Sequence, residues 1–287
     1  GGYRRISGYQ KHIEQVVPHT SSTDESVLMV TTFANKILVA RGEKIFSSAS
    51  ANLGRGPVNA IDQGTGMTGS GTITVDSTTG FSSSGTLQID NEQFTYTGIT
   101  ATTFTGVTRA ANSTTAAAHS ATSDTARNVV SESWTERDTG RTNAGKYSFE
   151  RFNFDGNDKI VVVDGTNAPT VFNTSIAATD VSESSVAGAS IAVSFREHMF
   201  YAGMSSTPQE VVFSQPFDED AFSSGSGAGS FKVDDTIVGL KVFRDGLFVF
   251  CENRIFKLTG NSSSDFAVSS VTRDIGCING KTIQEFA

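Results

Sequence analysis

The chain has 287 residues, of which 37% are hydrophobic and 18% charged, so it is poorer in both classes than a typical globular enzyme. Its formal net charge is −8 at pH 7, and no stripe of Lys and Arg follows a pattern suited to a phosphate backbone. No apolar run approaches the roughly 18 residues that a membrane span requires. These features argue against a protein that grips nucleic acid or spans a membrane.

Gly, Ser and Thr are abundant, which favours many short strands joined by turns. The two cysteines, Cys251 and Cys277, are too few for a disulfide framework, and we expect free, buried thiols in a reducing compartment. The sequence starts at Gly1-Gly2 without Met, and we expect it to be a piece of a longer chain.

The first predicted hairpin lies at residues 35–46, NKILVARGEKIF, in which a polar pair precedes an apolar strand, a Gly-containing turn and a second strand. Residues 67–122 differ in character, with alternating apolar positions separated by turns rich in Gly, Ser and Asp. The alternating positions are Ile73, Val75, Leu87, Ile89, Phe94, Tyr96, Phe104 and Val107. This pattern predicts a compact module of four or five short strands with a surface of Thr and Ser.

Three further hairpins follow at 157–172, 196–213 and 244–256, with the same order of polar pair, apolar strand, turn and second strand. Their spacing of about 40 to 50 residues is that of propeller blades, each a four-stranded sheet. Intervening segments such as residues 146–154 and 265–272 also read as strands. An all-β chain that merely contains four unrelated hairpins is the alternative.

The sequence therefore predicts an all-β fold: a β-propeller-like platform, which need not be complete, with a small inserted β-sandwich or barrel module. The propeller would comprise residues 1–66 and 123–287, and the insert residues 67–122. Insertion at an exposed loop is tolerated when the ends of the module lie close together.

No group of residues indicates a catalytic, cofactor-binding or metal site, so we assign none and predict a protein that is not an enzyme. The histidines lack the spacing of metal ligands: they are His12, His19, His119 and His198. Residues 223–232, SSGSGAGSFK, lack the Gly-Lys-Ser/Thr ending of a phosphate loop and are predicted to form a flexible surface loop.

Acidic clusters occur at residues 155–158, 218–220 and 234–235, in predicted turns. Asp and Asn are favoured in turns for backbone reasons alone. We therefore give these clusters no catalytic role.

The C-terminal half resembles the tail nozzle and stabilisation (tail accessory) proteins of tailed bacteriophages. The resemblance lies in VVFSQPFDEDAF, then DDTIVGLKVFRDGLFVFCENRIFKLTG, then VTRDIGCINGKTI, within residues 211–283. The opening GGYRRISGYQKH is similar to the start of the same group, and the insert resembles a small β-rich piece of phage structural proteins.

This resemblance implies a virion structural protein of the tail, assembled in the host cytoplasm. It implies a ring of identical subunits, expected to be a hexamer, with portal or adaptor proteins above and tail fibre or spike proteins at the side. Double-stranded DNA would pass through the ring without sequence-specific binding. Arg4, Arg5, Arg41 and Arg55 are candidates for contacts between subunits.

Two other functions stay open from the sequence. The first is a receptor-binding or fibre-attachment component, which a cluster of exposed aromatic residues on the insert would favour. The second is a propeller glycosidase, which needs two carboxylates roughly 5–10 Å apart at the mouth of a pocket.

Overall fold

The computed structural model describes residues 17–18, 26–48, 59–60, 71–75, 77–79, 81–89, 92–117, 128–131, 134–143 and 145–284. These residues form β-strands and short 3₁₀ helices, and none of them lies in an α-helix. No helix in this part of the chain has the length and apolar character that a membrane crossing requires. The chain divides into two compact units, residues 1–140 and 141–287.

Unit 1 contains eleven strands in its described residues. They are β1 (Val27–Phe33), β2 (Lys36–Arg41), β3 (Lys44–Ser48), β4 (Asn59–Ala60), β5 (Gly71–Thr74), β6 (Gly85–Ile89), β7 (Glu92–Tyr96), β8 (Gly98–Ile99), β9 (Thr103–Val107), β10 (Asn128–Ser131) and β11 (Trp134–Asp138). A 3₁₀ helix spans Ala111–Ser113. The first antiparallel sheet has the order β1-β2-β3-β11, so the strands between β3 and β11 interrupt a four-stranded sheet.

The interrupting strands form two further sheets, β4-β10-β6-β7 and β5-β9-β8, joined by a bridge between Thr95 and Thr108. All eight alternating apolar residues predicted for this module are buried in one cluster, together with Phe81. Phe104 lies at its centre, with edge-to-face contacts to Phe81 and Tyr96 at centroid distances of 4.8 and 4.9 Å. The strict alternation therefore marks the inward face of these strands.

Unit 2 is a regular series of three four-stranded antiparallel sheets. The first contains β12 (Ser148–Phe154), β13 (Asn157–Val163), β14 (Thr170–Asn173) and β15 (Ala178–Asp180). The second contains β16 (Ile191–Phe195), β17 (His198–Ala202), β18 (Glu210–Phe213) and β19 (Gly229–Lys232). The third contains β20 (Ile237–Phe243), β21 (Gly246–Cys251), β22 (Ile255–Thr259) and β23 (Ala267–Thr272). Short 3₁₀ helices span Ser184–Val186, Ser224–Ser226 and Gly280–Thr282.

The three sheets pack face to face through two apolar cores. Val161 and Val163 of the first sheet meet Met199 and Tyr201 of the second. On the opposite face of the second sheet, Phe200 and its neighbours meet Leu247, Val249 and Cys251 of the third. Meander sheets packed in series in this way are the blades of a propeller-like structure, and the predicted all-β, propeller-like fold is confirmed.

Each predicted hairpin is the pair of middle strands of one four-stranded sheet. A two-residue turn joins the first strand of the sheet to the first strand of the hairpin. The first residue of this turn has a left-handed backbone conformation, which suits the twist of antiparallel strands. These first residues are Ala34, Asp155, Arg196 and Arg244, with φ between 45° and 52°. The four turns thus share a backbone conformation, although their amino-acid sequences differ.

A buried ion pair holds the start of unit 2. Nη2 of Arg141 lies 3.0 Å from Oδ2 of Asp164, and both side chains are almost fully buried. Burial alone would raise the pKa of Asp164, but hydrogen bonds from Asn167 and Thr166 and the charge of Arg141 outweigh it and hold the pKa below its usual value. Arg141 also donates to the hydroxyl of Thr170, so the pair connects the loop before β14 to the strand itself.

Residues 223–232 are not a loop throughout, contrary to the sequence prediction. Gly229–Lys232 form β19, which pairs with β18 along its whole length. The glycine that suggested flexibility is required by packing, because a Cβ at Gly229 would lie 2.8 Å from the ring of Phe213. The prediction was wrong because a glycine beneath an aromatic ring cannot be distinguished by composition from a glycine in a loop.

Gly156 tests the turn conformation, since its φ is 77° and a Cβ there would meet nothing within 4 Å. Gly156→Ala therefore adds no clash and should destabilise the protein by about 1 kcal/mol through the left-handed backbone alone. The free energy of unfolding in urea measures this. Gly225→Ala is the control, because its Cβ would meet only the Ser223 hydroxyl at 3.9 Å, and an equal loss in both variants would contradict the account.

Candidate functional site

The histidine that the structure describes, His198, is a core residue. Its Nδ1 donates a hydrogen bond of 2.6 Å to the carbonyl oxygen of Ser214, and its ring packs among Phe200, Phe213 and Phe266. His12, His19 and His119 lie outside the described residues. Within the ranges described, no group of three or more His, Cys, Asp or Glu side chains is placed to hold a metal ion.

The acidic clusters are used to hold turns. Glu219 forms an ion pair with Lys159, and Asp220 accepts a hydrogen bond of 2.8 Å from the Ser182 amide. Asp235 accepts one of 2.7 Å from the amide of Asn253, and Asp234 pairs with Arg254. In the cluster at 155–158, Asp155 and Gly156 form the turn between β12 and β13.

The thiols differ in environment. Both are free, as predicted, but only Cys251 is buried, and Cys277 is partly exposed. Burial, with the nearby charges of Asp235 and Asp234, raises the pKa of Cys251 to about 12. This thiol is therefore protonated at neutral pH and is unsuited to act as a nucleophile.

The candidate site is a cavity of about 1000 Å³ in unit 2, here called the strand groove. Its walls are the first strands of the three sheets, β12, β16 and β20, with the residues just before β12 and β16. Residues 278–281 complete the lining. Each wall strand is the edge of its sheet, so backbone groups as well as side chains border the cavity.

Glu150 is the carboxylate of the strand groove lining. Its Oε1 accepts hydrogen bonds from the Ser194 amide at 3.1 Å and the Ser194 hydroxyl at 2.8 Å, linking β12 to β16. Burial raises the pKa of Glu150, and the hydrogen bonds from Ser194 and the charge of Lys241 only partly oppose this. A second carboxylate, as a glycosidase needs, is absent from the described lining of the groove.

The lysines of unit 2 fall into two groups. Three form ion pairs outside the strand groove: Lys159 with Glu219, Lys232 with Glu210 and Lys257 with Asp245. The other three line the groove, and none of them forms an ion pair with a described residue: Lys146, Lys241 and Lys281. An acidic chain thus has a cavity whose lining carries three ammonium groups and one carboxylate.

Two glycines let the segment at 278–281 lie against β20. A Cβ at Gly280 would come within 2.3 Å of the carbonyl oxygen of Val238, and one at Gly239 within 2.4 Å of Ile283. The segment is also fixed by a hydrogen bond of 2.8 Å from the Cys277 amide to the Cys251 carbonyl oxygen. Sequence reasoning missed this site, because its three lysines are far apart in the chain and only the fold brings them to one cavity.

The motifs that resemble phage tail proteins have structural roles here. In Ser214-Gln215-Pro216, Ser214 is fully buried and its hydroxyl accepts from the Met199 amide. In Ile275-Gly276-Cys277, a Cβ at Gly276 would meet the Glu252 carbonyl oxygen at 2.2 Å. Arg41, a candidate for a subunit contact, is buried and donates to the Val17 carbonyl, while Arg4, Arg5 and Arg55 lie outside the described residues.

No protein-family model and no curated protein matches the chain. Among solved structures, it is similar to BBS1N in its complex with ARL6DN, at TM-score 0.32 and 10% identity over 87% of this chain and 69% of that one. It is also similar to PorZ of Porphyromonas gingivalis, at TM-score 0.32 and 11% identity over 92% of this chain and 40% of that one. The similarity to Hsv2p of Kluyveromyces lactis has TM-score 0.30 and 12% identity over 88% of this chain and 74% of that one. Scores this low carry no argument about function.

Glu150→Gln should raise the melting temperature at pH 7. A raised pKa means that the folded state favours the protonated carboxyl, so the charged form costs stability above the unfolded pKa of about 4.3. Gln keeps an acceptor for Ser194 without the charge. The gain should shrink as the pH falls through about 4.3 and disappear near about pH 3, where the wild-type carboxyl is protonated in both states. Thermal unfolding across this pH range tests it, with exposed Glu252→Gln as control, and a lower melting temperature at pH 7 would refute it.

Gly280→Ala should displace residues 278–283 from β20, because the new methyl group collides with the Val238 carbonyl. We expect amide hydrogen exchange at Cys277 to rise at least tenfold while exchange in β21 is unchanged. Mass spectrometry of peptides covering 275–284 measures it, with Gly225→Ala for comparison. Unchanged exchange would show that the glycine contact does not position this segment.

Proposed function

We propose that this chain is a structural subunit of a bacteriophage tail. Copies of it form a ring, expected to be a hexamer, that makes the tail nozzle below the portal. Double-stranded DNA passes through the ring without sequence-specific binding, and a net charge of −8 favours sliding over adhesion. The subunit belongs to the virion tail and is assembled in the host cytoplasm. It contacts portal or adaptor proteins above and fibre or spike proteins at the side, and it is not an enzyme.

The observation that carries the ring is an uncovered face on the last sheet of unit 2. The turns before β17 and β21 align Phe200 with Phe248 and Ala202 with Phe250. Phe200 and Ala202 are fully buried beneath the third sheet, whereas Phe248 and Phe250 are partly exposed. The same face is therefore fully buried in the second sheet and only partly covered in the third, among the residues of unit 2 that the structure describes.

The uncovered face is aromatic and continuous. Phe243, 36% exposed, lies edge-on to Phe248 at a centroid distance of 6.2 Å, and Phe248 lies 6.4 Å from Phe250. Lys257 Nζ lies 5.7 Å from the centre of the Phe248 ring. A sheet of a neighbouring copy supplies the packing that the second sheet receives within the chain, and head-to-tail contacts of this kind close into rings.

The other functions have less support. Among the described residues of the insert, no large apolar side chain is exposed, so a glycan-binding aromatic surface has no candidate there. The strand groove offers Glu150 without a second carboxylate partner among its described residues, which does not favour glycoside hydrolysis.

Negative-stain imaging and light scattering of the purified full-length protein test the ring, alone and with portal-containing particles. We expect rings with a central hole that dock beneath the portal. Phe243→Glu should reduce the ring fraction at least tenfold, because it places a charge within the aromatic contact. Phe217→Glu is the matched control, since Phe217 is 51% exposed but lies in a turn outside this face.

Monomers that do not bind the portal would contradict the proposal. Particles decorated only at the fibre tips would favour a receptor-binding component instead. Equal loss of rings in both Phe variants would show that the aromatic face is not the contact.

A further inference from the structure

The strand groove has three properties that together describe a ligand. First, Lys146, Lys241 and Lys281 have no ion-pair partner among the described residues, although the other lysines of unit 2 are paired. Three of the six lysines of unit 2 thus border one cavity without an ion pair to a described residue, and one carboxylate, Glu150, lies in the same lining, so the groove favours a ligand of negative charge. Their separation in sequence, on the flank of β12, on β20 and in the C-terminal segment, means that only the fold brings them to one cavity.

Second, the groove is bordered by strand edges that have no partner strand among the described residues. In the described part of the chain, β12 pairs only with β13 and β16 only with β17, and the outer edges of β12 and β16 make no backbone hydrogen bond to another strand. Such an edge accepts an added strand from an extended peptide, which gains main-chain hydrogen bonds on binding.

Third, apolar side chains are exposed beside the lysines. Phe149 is 41% exposed and Ile278 is 98% exposed, and both line the strand groove. Exposed large apolar residues beside unpaired cations match a ligand that alternates apolar and acidic side chains, as an extended peptide does on its two faces.

We propose that the strand groove binds an acidic peptide segment of a partner protein in extended form, along the edges of β12 and β16. The lysines hold its carboxylates, and Phe149 and Ile278 contact its apolar side chains. A nucleic-acid strand is disfavoured because Phe149 is the exposed aromatic residue of the described lining, and single strands bind over several stacked aromatic rings. The inference does not rest on the ring proposal, although Lys241 is paired in register with Phe248 and therefore lies on the same face of the third sheet as the aromatic residues.

Glu150 has a defined part in this site. Its carboxylate holds the Ser194 amide, a donor on the edge of β16 that a peptide carbonyl would otherwise use. It also brings negative charge close to Lys241. Glu150 therefore competes with an acidic ligand, and its neutralisation should strengthen binding.

The test uses fluorescence anisotropy of the full chain with a fluorescein-labelled peptide, (Glu-Val)₄, in 50 mM salt. We expect saturable binding that Lys146→Gln/Lys241→Gln weakens at least fivefold, since two charge contacts are lost. The matched control is Lys232→Gln/Lys257→Gln, which removes the same charge outside the groove and should change the affinity less than twofold. Glu150→Gln should bind severalfold more tightly than the wild type. Melting curves of all variants confirm that they are folded.

Three results would overturn the proposal. One is the absence of saturable binding by the wild type. Another is equal weakening by both lysine pairs, which would show a general charge effect. The third is tighter binding of a dT₁₂ oligonucleotide or of (Lys-Val)₄ than of the acidic peptide. A ring that forms normally while the peptide fails to bind would separate this outcome from the failure of the ring proposal.

Discussion

The structure of unit 2 depends on one constraint, that the middle strands of each four-stranded sheet carry apolar side chains on both faces and need cover on both. The second sheet of unit 2 is covered on both faces: Met199 and Tyr201 pack against the first sheet, and Phe200 packs against the third. Burial of one such side chain contributes about 1.5–3 kcal/mol, so two cores of a dozen residues each dominate the stability of the unit.

The same constraint produces both candidate functional surfaces. Sheets packed in series bring their first strands to one side, and these strand edges become the walls of the strand groove. The series also leaves the aromatic face of the third sheet partly exposed. A ring contact and a peptide groove are therefore two consequences of one arrangement, which explains why neither has a local motif.

The sequence predicted those features that follow from alternation. The four hairpins, further strands such as those predicted at residues 146–154 and 265–272, and the core of the insert were recognisable because their apolar residues repeat every second position. Strands β15 and β19 were missed because they are short and polar or glycine-rich, and they exist by pairing with β14 and β18. The polar pair that marks the hairpin at Arg196-Glu197 is the tight turn itself, with both residues at positive φ.

The sites could not be predicted in this way. Lys146, Lys241 and Lys281 each look like a solvated surface lysine, and only the fold shows that they line one cavity, where none of them forms an ion pair with a described residue. Likewise, FRDGLFVF reads as an ordinary buried strand, and the exposure of Phe248 depends on what packs on the sheet. The segment boundaries 1–66, 67–122 and 123–287 stay a prediction, and β6 of the insert pairs with β10, which lies beyond residue 122.

The most direct test of the ring proposal is a cryo-electron microscopy map of portal-containing particles assembled with the full-length protein. We expect a closed ring below the portal, in which Phe243, Phe248 and Phe250 of each subunit lie against a sheet of its neighbour. A ring in which these side chains face solvent, or a tail without density for this chain below the portal, would contradict it.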